Sequence, residues 1–487
     1  MLDQGSTSSR AVLYTRAGQI AFQARAPLPS LIAGPDRVEH DPGALWESQF
    51  APLRRALAWL GKGGARKIAA MGITNQRSTF LLWDRRTGRP IGRAVSWQDR
   101  RGAAVCEEMA REQPAIQAAT GLRLTPHSTI GKVRWLLRRP GIRTRAEAGD
   151  LLFGTVNTYL IWKLTGGAVH ATDDTNASRT LMMNLAARAW DPAQLARFDL
   201  PGAMLPTIGP AAGWYGDARL GRLSVPILSS IGDQQASLVG QGGYRPGHLA
   251  LTYGTGGFLL WNIGARPQAR TRLLSTIAWS SKKTTHYALE GTVNAVGSAI
   301  LWMKDSLGWL SSPAEIDALC RASREEMFCV PSLSGLGSPY YAPVETAFFG
   351  LNRNTTRADL VRSVMAGIAF LMHDNYERMR RERRAAPRRI TAGGGAAQSR
   401  WLLQFQADLL QKEIGLSNVY ETTSRGAAYL AGLECGFWTG FDALDRLSRP
   451  ARRFTPGVSA AEVNRQCNRW RRALELARAW EAPTQTN

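Results

Sequence analysis

The segment Asp3-Gln4-Gly5-Ser6-Thr7-Ser8-Ser9-Arg10 puts one carboxylate, one glycine and four consecutive hydroxyl side chains into a short polar turn. Residues 11–15, which follow it, are apolar and predict a β-strand. Gly5 has no Cβ, so the backbone there can turn tightly and approach a ligand. Hydroxyl and backbone N–H groups on such a turn can hold phosphate oxygens, whereas Asp3 would need a Mg²⁺ ion between itself and a phosphate, because like charges repel. The alternative is an ordinary β-turn of small polar residues.

One later segment repeats this pattern of a polar turn beside strands, and a third segment is also rich in glycine. Residues 251–260, LTYGTGGFLL, read as a strand, a Gly/Thr turn and a second strand. Two hairpin loops of this kind predict two similar domains that face one nucleotide. A third glycine cluster, at residues 392–396, precedes a helical pattern that begins near Ser399, and close backbone approach there would suit a contact with adenosine.

Length and composition set limits on the fold. The chain has 487 residues, more than one hydrophobic core usually serves, so we expect two domains. No apolar run approaches the ~18 residues that a membrane span needs, and the early polar loop argues against a signal peptide. The five cysteines are scattered, and no pair has the spacing of metal ligands, which predicts reduced thiols in a cytoplasmic protein.

The formal net charge of +23 raises the question of a nucleic-acid partner. The basic residues are spread along the whole chain, and the densest cluster, residues 378–389, ends a long helical pattern and contains Glu382. Such charge runs are usually solvated helix faces, so we expect no nucleic-acid partner. The positive field would instead attract anionic nucleotides.

Polar side chains follow two further predicted strands. Residues 67–74 read as a buried strand that ends at Asn75-Gln76-Arg77-Ser78, and α/β folds place ligands at such strand ends. Residues 225–230 are apolar and lead to Asp233, which stands before a predicted helix. A carboxylate there can accept a proton from a substrate hydroxyl. It can equally serve as the N-cap of that helix, and the segment alone does not separate the two roles.

Helical periodicity marks several longer elements. A helix is predicted over residues 154–164, and a helix of small residues over 424–437. A long helix is predicted over residues 356–384, with Thr356 and Asp359 placed as a capping box at its start.

No linker of low complexity divides the chain, so the domain boundaries rest on the repeated strand-and-turn pattern. They predict an N-terminal domain at residues 1–240, a C-terminal domain at 241–450 and a helical tail at 451–487.

Eight segments, in one order along nearly the whole chain, resemble the FGGY carbohydrate kinase family and, within it, the glycerol kinases. They are residues 3–10, 38–42, 72–77, 97–101, 175–180, 232–235, 253–256 and 426–430. So many segments in one order are far more specific than a single glycine motif. The resemblance implies an α/β fold of two actin-like, ribonuclease-H-like domains with a nucleotide cleft between them. It also implies an enzyme that uses ATP and Mg²⁺ to phosphorylate glycerol to sn-glycerol 3-phosphate.

The resemblance implies roles for individual residues. The ATP phosphates would be faced by Ser6, Thr7, Ser8 and Arg10. The rest of the nucleotide site would be lined by Thr255, Gly297, Leu301, Gly395 and Ser399. The polyol pocket would be formed by Arg77, Ser78, Trp97, His127, Asp233 and Gln234. Asp233 would be the catalytic base, and Asp3 would hold Mg²⁺ through water.

Four of these positions depart from the pattern of glycerol kinases. Ser78 stands where a glutamate is usual, and His127 where a tyrosine is usual. Leu301 and Ser399 replace a glutamine and an asparagine of the nucleotide site. Losing a charge-assisted hydrogen bond typically costs about 1.5–3 kcal/mol, which is enough to weaken glycerol binding tenfold or more, or to redirect specificity.

Three functional hypotheses follow. The chain is a glycerol kinase with a modified pocket, a related kinase of another polyol or sugar, or a catalytically impaired regulator that binds nucleotide or polyol. Arg77 and Asp233 are retained, which favours the first two. The altered pocket and the short start of the chain keep the third hypothesis open. The sequence leaves the oligomeric state open as well, a homo-oligomer included.

The start of the chain carries its own expectation. Only Met1 and Leu2 precede Asp3, although the polar loop should follow a central strand of ~5–6 residues. A missing central strand would leave backbone groups of its neighbours unpaired. We therefore expect either that the sequence begins too late or that the protein is poorly stable.

Overall fold

The structure, a computed structural model, describes residues 1–34, 36–268 and 271–480. Strands and helices alternate along these residues. The strands are β1 (Leu2–Gln4), β2 (Ser8–Tyr14), β3 (Ile20–Pro27), β4 (Leu31–Ile32), β5 (Val38–His40), β6 (Met71–Asn75), β7 (Phe80–Asp84), β8 (Ala94–Val95), β9 (Leu151–Thr155), β10 (Ala171–Asp173), β11 (Met183–Asn184), β12 (Ala189–Trp190), β13 (Thr207–Gly209), β14 (Asp217–Leu220), β15 (Leu223–Gly232), β16 (His248–Tyr253), β17 (Gly257–Gly264), β18 (Leu274–Ser280), β19 (Thr285–Val293), β20 (Phe328–Val330), β21 (Ala347–Phe349), β22 (Arg389–Gly393), β23 (Ile414–Leu416) and β24 (Arg452–Phe454).

The α-helices are α1 (Pro42–Ala65), α2 (Ala103–Glu108), α3 (Gln113–Thr120), α4 (Thr129–Leu137), α5 (Ile142–Glu147), α6 (Val156–Leu164), α7 (Asp174–Ala177), α8 (Pro192–Arg197), α9 (Asp233–Gly240), α10 (Gly297–Leu301), α11 (Ile316–Ala322), α12 (Arg357–Arg383), α13 (Arg400–Leu410), α14 (Thr422–Glu434), α15 (Phe441–Leu447) and α16 (Ala460–Trp480). Single helical turns of other types occur at Ala110–Glu112, Ser178–Thr180, Gly202–Met204, Trp302–Ser306, Pro313–Glu315 and Ala396–Gln398. Among the helices of the described residues, none combines the length and the apolar composition that a membrane span requires.

The chain forms two compact units that interleave along the sequence. The first unit contains Met1–Pro246, Ile263–Ala288 and Thr422–Leu447. The second contains Gly247–Asn262, Leu289–Glu421 and the described residues from Ser448 onward. The predicted domains were contiguous, whereas residues 241–246, 263–288 and 422–447, all assigned to the C-terminal domain, fall in the first unit. The described part of the predicted tail falls in the second unit.

Parallel strands organise the larger sheet of the first unit, whose order is β14-β15-β6-β1-β2-β3. Strand β1 has three residues, fewer than the ~5–6 expected, and it pairs with β2 on one side and β6 on the other. Strands β1, β6 and β15 run parallel, with Gln4 opposite Asn75 and Asn75 opposite Gly232. Their carboxyl ends therefore meet at one edge of the sheet. Leu2 and Ile73 are buried in the core behind that edge.

Helix α14 belongs to the first unit because it packs directly on α9. A Cβ added to Gly426 would lie 1.8 Å from the carbonyl oxygen of Ala236, and one added to Gly240 would lie 1.9 Å from that of Thr422. Only glycine permits so close a crossing of two backbones. The small residues predicted for this helix are therefore explained by its contact with α9.

A seven-stranded sheet has the order β18-β19-β17-β16-β22-β23-β24. Its strands β16, β22, β23 and β24 belong to the second unit. Strands β16 and β22 run parallel, with Thr252 opposite Gly393. Helix α12 begins with the predicted capping box, since the side chains of Thr356 and Asp359 both make their reciprocal hydrogen bonds. The C-terminal helix α16 packs on α12 through Trp470, whose ring stacks on Phe370 at 5.0 Å between centroids. One face of the described part of the predicted tail is therefore buried in the second unit.

Candidate active site

The predicted polar segments of the first unit meet at the carboxyl edge of β1, β6 and β15. Gln76 joins the loop after β6 to the loop after β1 by two hydrogen bonds. Its backbone N–H donates to Gln4 O at 2.8 Å, and its side chain donates to Gly5 O at 3.1 Å. Asp233, the first residue of α9, stands directly after β15. The structure thus brings together Arg77, Asp233 and the polar turn of residues 3–10, hereafter the hydroxyl loop, as the parallel strands require.

The hydroxyl loop is a tight turn in which Gly5 N donates to Ser8 O at 3.0 Å. Thr7 is exposed and Ser6 is half-buried, whereas Ser8 is 3% exposed. Ser9 is fully buried and takes part in a hydrogen-bonded cluster behind the loop. Two of the predicted phosphate-facing hydroxyls therefore reach solvent, and Ser8 presents almost no surface.

Asp3 and Arg10 form a partly buried ion pair rather than two separate ligand contacts. They lie opposite each other in the pairing of β1 with β2. Arg10 Nη1 is 3.1 Å from Asp3 Oδ2, and Asp3 is 3% exposed. Arg10 thus balances the charge of Asp3 at the base of the loop. This pairing follows from strand register, which the sequence pattern alone did not show.

Arg77 and Asp233 form the charged centre of the site. Arg77 Nε lies 3.4 Å from Asp233 Oδ1, and the two side chains are 8% and 28% exposed. Arg77 Nη1 also donates to Gln235 Oε1 at 3.3 Å. The Asp233 carboxylate is therefore accessible on one side while a guanidinium holds it on the other. Asp233 also accepts a hydrogen bond from Gln234 N at 2.7 Å, which steadies its position at the start of α9.

Gln234 and Ser78 flank this pair. Gln234 Oε1 is buried and meets no hydrogen-bond donor among the described residues. Buried acceptors normally have a partner, so this oxygen is available to a ligand hydroxyl. Ser78 has a left-handed backbone (φ 68), and its hydroxyl donates to Arg179 O at 3.4 Å. The short Ser78 side chain therefore turns to the protein backbone.

Trp97 links the pocket to the hydroxyl loop. Its Nε1 donates to Ser6 Oγ at 2.9 Å, and its backbone N–H donates to Thr79 Oγ1 at 3.0 Å. His127 is exposed, and hydrogen bonding to the backbone at Trp97 brings it to the same region. The pKa of His127 is lowered mainly because neighbouring protein atoms displace water from the ring, and further by the positive charge of Lys132. A neutral imidazole is therefore favoured at this place.

A buried polar network behind the strand ends was not predicted as such. Asp173 accepts hydrogen bonds from Asn176 Nδ2 at 2.7 Å and Ser230 Oγ at 2.9 Å, and Asn176 in turn exchanges hydrogen bonds with Asn75. Thr175 Oγ1 accepts from Gly232 N at 2.9 Å. Burial raises the pKa of Asp173. The network fixes the ends of β6 and β15, and its signal in the sequence was an aspartate placed as N-cap of a short helix.

The residues predicted to line the nucleotide site lie in the second unit, where two of them are brought together. The Thr255 turn and the start of α10 are joined because Gly297 N donates to Gly254 O at 2.9 Å and Ser298 N donates to Thr255 O at 3.1 Å. Thr255 is exposed. A Cβ on Gly297 would lie 2.7 Å from Gly254 O, so this junction requires glycine. Leu301 is 53% exposed at the end of α10.

The third glycine cluster crosses the end of β16. A Cβ on Gly394, which has φ +95, would lie 2.5 Å from Tyr253 O. Gly395 follows at the same edge and is exposed. Ser399 uses its hydroxyl to cap α13, accepting from Leu402 N at 3.1 Å, and it donates to Asp317 Oδ1 at 2.5 Å. The predicted role of Ser399 in nucleotide binding must therefore compete with this cap.

Comparison with known proteins gives a consistent result. Residues 1–240 match the N-terminal domain model of the FGGY family of carbohydrate kinases, and residues 249–435 match its C-terminal domain model. A glycerol kinase of Methylobacterium nodulans is 42% identical over 97% of this chain and 96% of its own length. One of Bordetella parapertussis is 41% identical over 99% of this chain and 97% of its own length.

Solved structures agree in fold. The Plasmodium falciparum glycerol kinase with ADP matches with a TM-score of 0.91 and 29% identity, covering 98% of this chain and 97% of that one. A ligand-bound xylulose kinase from Lactobacillus acidophilus matches with a TM-score of 0.87 and 21% identity, covering 99% of this chain and 98% of that one, which bears on the fold alone. The two-domain α/β architecture predicted from the sequence is confirmed.

Proposed function

Because the chain belongs to the FGGY family of carbohydrate kinases, we propose that it transfers the γ-phosphoryl group of ATP to glycerol and so makes sn-glycerol 3-phosphate. The observation that carries the proposal is the ion pair of Arg77 with a partly exposed Asp233. The pair stands at the sheet edge that also carries the hydroxyl loop. A proton acceptor and a phosphate-binding turn at one edge are what phosphoryl transfer to a hydroxyl requires.

Asp233 is proposed as the general base. The attacking hydroxyl of glycerol forms the new O–P bond while the bond from the γ-phosphorus to the bridging oxygen of ATP breaks, and ADP leaves. The hydroxyl proton passes to the carboxylate of Asp233. Arg77 supports this role, because its guanidinium orients the carboxylate at 3.4 Å while the Asp233 side chain stays 28% exposed. In phosphoryl transfer the protein mainly aligns the groups and neutralises charge.

The polyol is proposed to lie against Trp97 with its hydroxyls near Arg77 and Gln234. The unpartnered Gln234 Oε1 supports this placement, since a polyol hydroxyl would satisfy it. Trp97 supports it through the hydrogen bond of its ring to Ser6, which holds the indole beside the loop that would face the phosphates.

The ATP contacts are proposed for each unit by itself, following the residues that the resemblance implies. In the first unit, Ser6, Thr7 and Arg10 would meet the phosphates, and Ser8 would contribute through its backbone, because its side chain is buried. In the second unit, the contacts are proposed for Thr255, Gly297, Leu301, Gly395 and Ser399. The exposed turn at Thr255 and the glycine junction at Gly297 support this assignment.

A Mg²⁺ ion is proposed to accompany ATP and to neutralise charge on its phosphates. Among the described residues no group of three or more His, Cys, Asp and Glu side chains is arranged to hold a metal. This fits Mg²⁺, which usually keeps several waters and binds through one or two carboxylates and the substrate phosphates. Asp3 would then act through water, since Arg10 already occupies one of its oxygens.

The second candidate function is phosphorylation of a longer polyol or a sugar by the same residues. Ser78 favours it, because a short neutral side chain bonded to Arg179 O leaves room where glycerol kinases carry a glutamate. For glycerol itself, the loss of that contact should raise KM more than it lowers kcat, if the contact is equal in the ground and transition states.

The test is a screen of ATP consumption over glycerol, erythritol, ribitol, xylulose and dihydroxyacetone, with the products identified by mass spectrometry. We expect ADP and glycerol 3-phosphate from glycerol, with a high KM. A higher kcat/KM on a longer substrate would favour the second candidate. If none of the five compounds gave ADP, both candidate functions would be contradicted. The third hypothesis, a regulator without turnover, would then remain. We also propose a cytoplasmic location, supported by five cysteines that remain free thiols.

A further inference from the structure

Lys132, on α4, is a buried ammonium group that the proposed reaction does not use. It has no solvent exposure, and its Nζ donates to the carbonyl oxygens of Ser96 at 2.8 Å and Trp97 at 3.4 Å. Asp99 attracts it, but both oxygens of Asp99 already accept hydrogen bonds from the Arg101 side chain, at 2.8 and 2.7 Å. The ammonium is therefore held chiefly by two backbone carbonyls.

Those carbonyls belong to the segment that carries the proposed wall of the polyol pocket. The N–H of Trp97 is fixed by Thr79, its ring nitrogen by Ser6, and its carbonyl by Lys132. Thr79 in turn donates to Gln76 Oε1 at 2.9 Å, so this hold extends to the end of β6. Of these three groups, only Lys132 is titratable. His127 also hydrogen-bonds the backbone at Trp97, but its pKa is lowered, chiefly by burial.

The surroundings of Lys132 make its charge conditional. Burial lowers its pKa from 10.5 to about 7, opposed by the attraction of Asp99 and assisted by the repulsion of Arg101. Cys106 also faces it, but burial raises the pKa of that thiol to about 12, so it stays neutral. His127 is affected in turn, since the charge of Lys132 helps to lower its pKa. Lys132 is thus charged below about pH 7 and largely neutral above it.

We propose that Lys132 is a positioning residue whose charged form fixes the backbone at Trp97, so that affinity for the polyol falls as the pH rises and Lys132 loses its proton. Hydrogen bonds from a charged donor are roughly twice as strong as neutral ones, and a neutral amine would hold the two carbonyls less firmly. The inference rests on the proposed function, in which Trp97 forms the wall against which the polyol binds.

The effect on binding has the opposite sign to the effect on stability. Because the pKa of Lys132 is depressed in the folded protein, the unfolded chain binds more protons between about pH 7 and pH 10.5. The contribution of this group to the unfolding free energy therefore rises with pH over that window. If KM for the polyol merely followed stability, it would fall as the pH rises. The proposal requires KM to rise instead.

The test compares Lys132→Met and Lys132→Arg with the wild type, measuring KM for glycerol, KM for ATP and kcat from pH 6 to pH 8.5. For the wild type we expect KM for glycerol to rise about three- to tenfold across this range. Lys132→Met should have a high KM that no longer depends on pH, and Lys132→Arg should keep a flat, low KM, because its charge persists. The matched control is Lys283→Met, an exposed lysine of the same unit, which should behave as the wild type.

Each outcome decides the inference. A wild-type KM for glycerol that is flat with pH, or a pH dependence retained in Lys132→Met, would overturn it. If Lys132→Met does not fold, the comparison of the wild type with Lys132→Arg decides in the same way. If the wild type neither binds nor phosphorylates any polyol, the proposed function fails and this inference falls with it. A wild type that phosphorylates glycerol with unchanged kinetics in both variants refutes the positioning role alone.

Discussion

Replacing Gly232 by alanine should damage the polyol site although glycine itself makes no side-chain contact with substrate. A Cβ at this position would lie 2.9 Å from Arg77 Cγ, 3.0 Å from Arg77 Cδ and 2.9 Å from Gln235 Oε1. Carbon contacts are most favourable at about 3.5–4.0 Å, so Arg77 must move by about 0.5 Å or more. The backbone at Gly232 (φ −61, ψ 147) accepts alanine without strain, so the effect isolates the displacement of Arg77.

Arg77 has little room to move. Its side chain is 8% exposed, and its guanidinium is held by Asp233 at 3.4 Å and by Gln235 at 3.3 Å. Overpacking of this kind typically costs about 1–3 kcal/mol. If that cost is expressed in the transition-state complex, kcat/KM for glycerol should fall roughly 5- to 150-fold.

Steady-state kinetics with glycerol and ATP, together with a thermal melt, measure the effect. The matched control is Gly63→Ala in α1, where an added Cβ meets nothing within 4 Å. The control should keep the kinetics of the wild type and should gain up to about 1 kcal/mol of stability, since alanine is the better helix former. If Gly232→Ala kept the wild-type kcat/KM for glycerol, the close packing of Arg77 against Asp233 would not govern the site, and the reasoning would be refuted.

Three further predictions follow from the same structure. Restoring the usual pair of glycerol kinases with Ser78→Glu and His127→Tyr should lower KM for glycerol roughly tenfold or more, and kinetics of the double variant that match the parent would remove the altered-pocket explanation. Gly426→Ala would put a Cβ 1.8 Å from Ala236 O, so the midpoint of thermal unfolding should fall by several degrees, and an unchanged midpoint would contradict the close crossing of α9 and α14. Burial raises the pKa of Asp174 from 3.8 to about 7. Between these two pH values the folded protein retains a proton that the unfolded chain releases. The contribution of Asp174 to the unfolding free energy therefore declines as the pH rises from about 4 to about 7. Asp174→Asn should flatten this part of the plot of unfolding free energy against pH, and an unaltered slope would speak against the buried neutral acid.

The parts of the site that the sequence predicted are those set by strand ends. The loop at Gly5, the segment at Arg77 and the carboxylate of Asp233 each follow a run of strand-forming residues. Parallel strands deliver such residues to one edge of a sheet, so their meeting needed only the correct identification of the strands. The capping box of Thr356 and Asp359 was predictable for a similar reason, because it depends on local spacing.

The parts that the sequence did not predict depend on contacts between distant segments. The pairing of Asp3 with Arg10 needs the register of β1 on β2, which reverses the chain within a few residues. The burial of Lys132 beneath Trp97 needs the packing of α4, and in the sequence that residue is an ordinary polar position of a helix. Local periodicity carries neither kind of information.

The predicted helix boundary was wrong where a strand and a helix adjoin without a loop between them. The helix predicted over residues 154–164 is in fact the end of β9 followed by α6. Residues 151–161 are all buried, so the apolar pattern shows no change of period at the junction. The interleaved units were missed for a different reason, because they depend on the contact of α9 with α14, which lie far apart in the sequence. The glycine pair that joins α14 to α9 reads in the sequence as two unrelated helices of small residues.

The central claim is that Asp233 takes the proton of the polyol hydroxyl during transfer from ATP. The most direct measurement is the rate of glycerol 3-phosphate formation by the wild type and by Asp233→Asn, with ATP affinity determined for both by calorimetry. The account predicts that the wild type forms the product, that kcat of the variant falls about 10²- to 10⁴-fold, and that ATP binds both proteins equally well. A variant that turns over glycerol at nearly the wild-type rate would contradict the account.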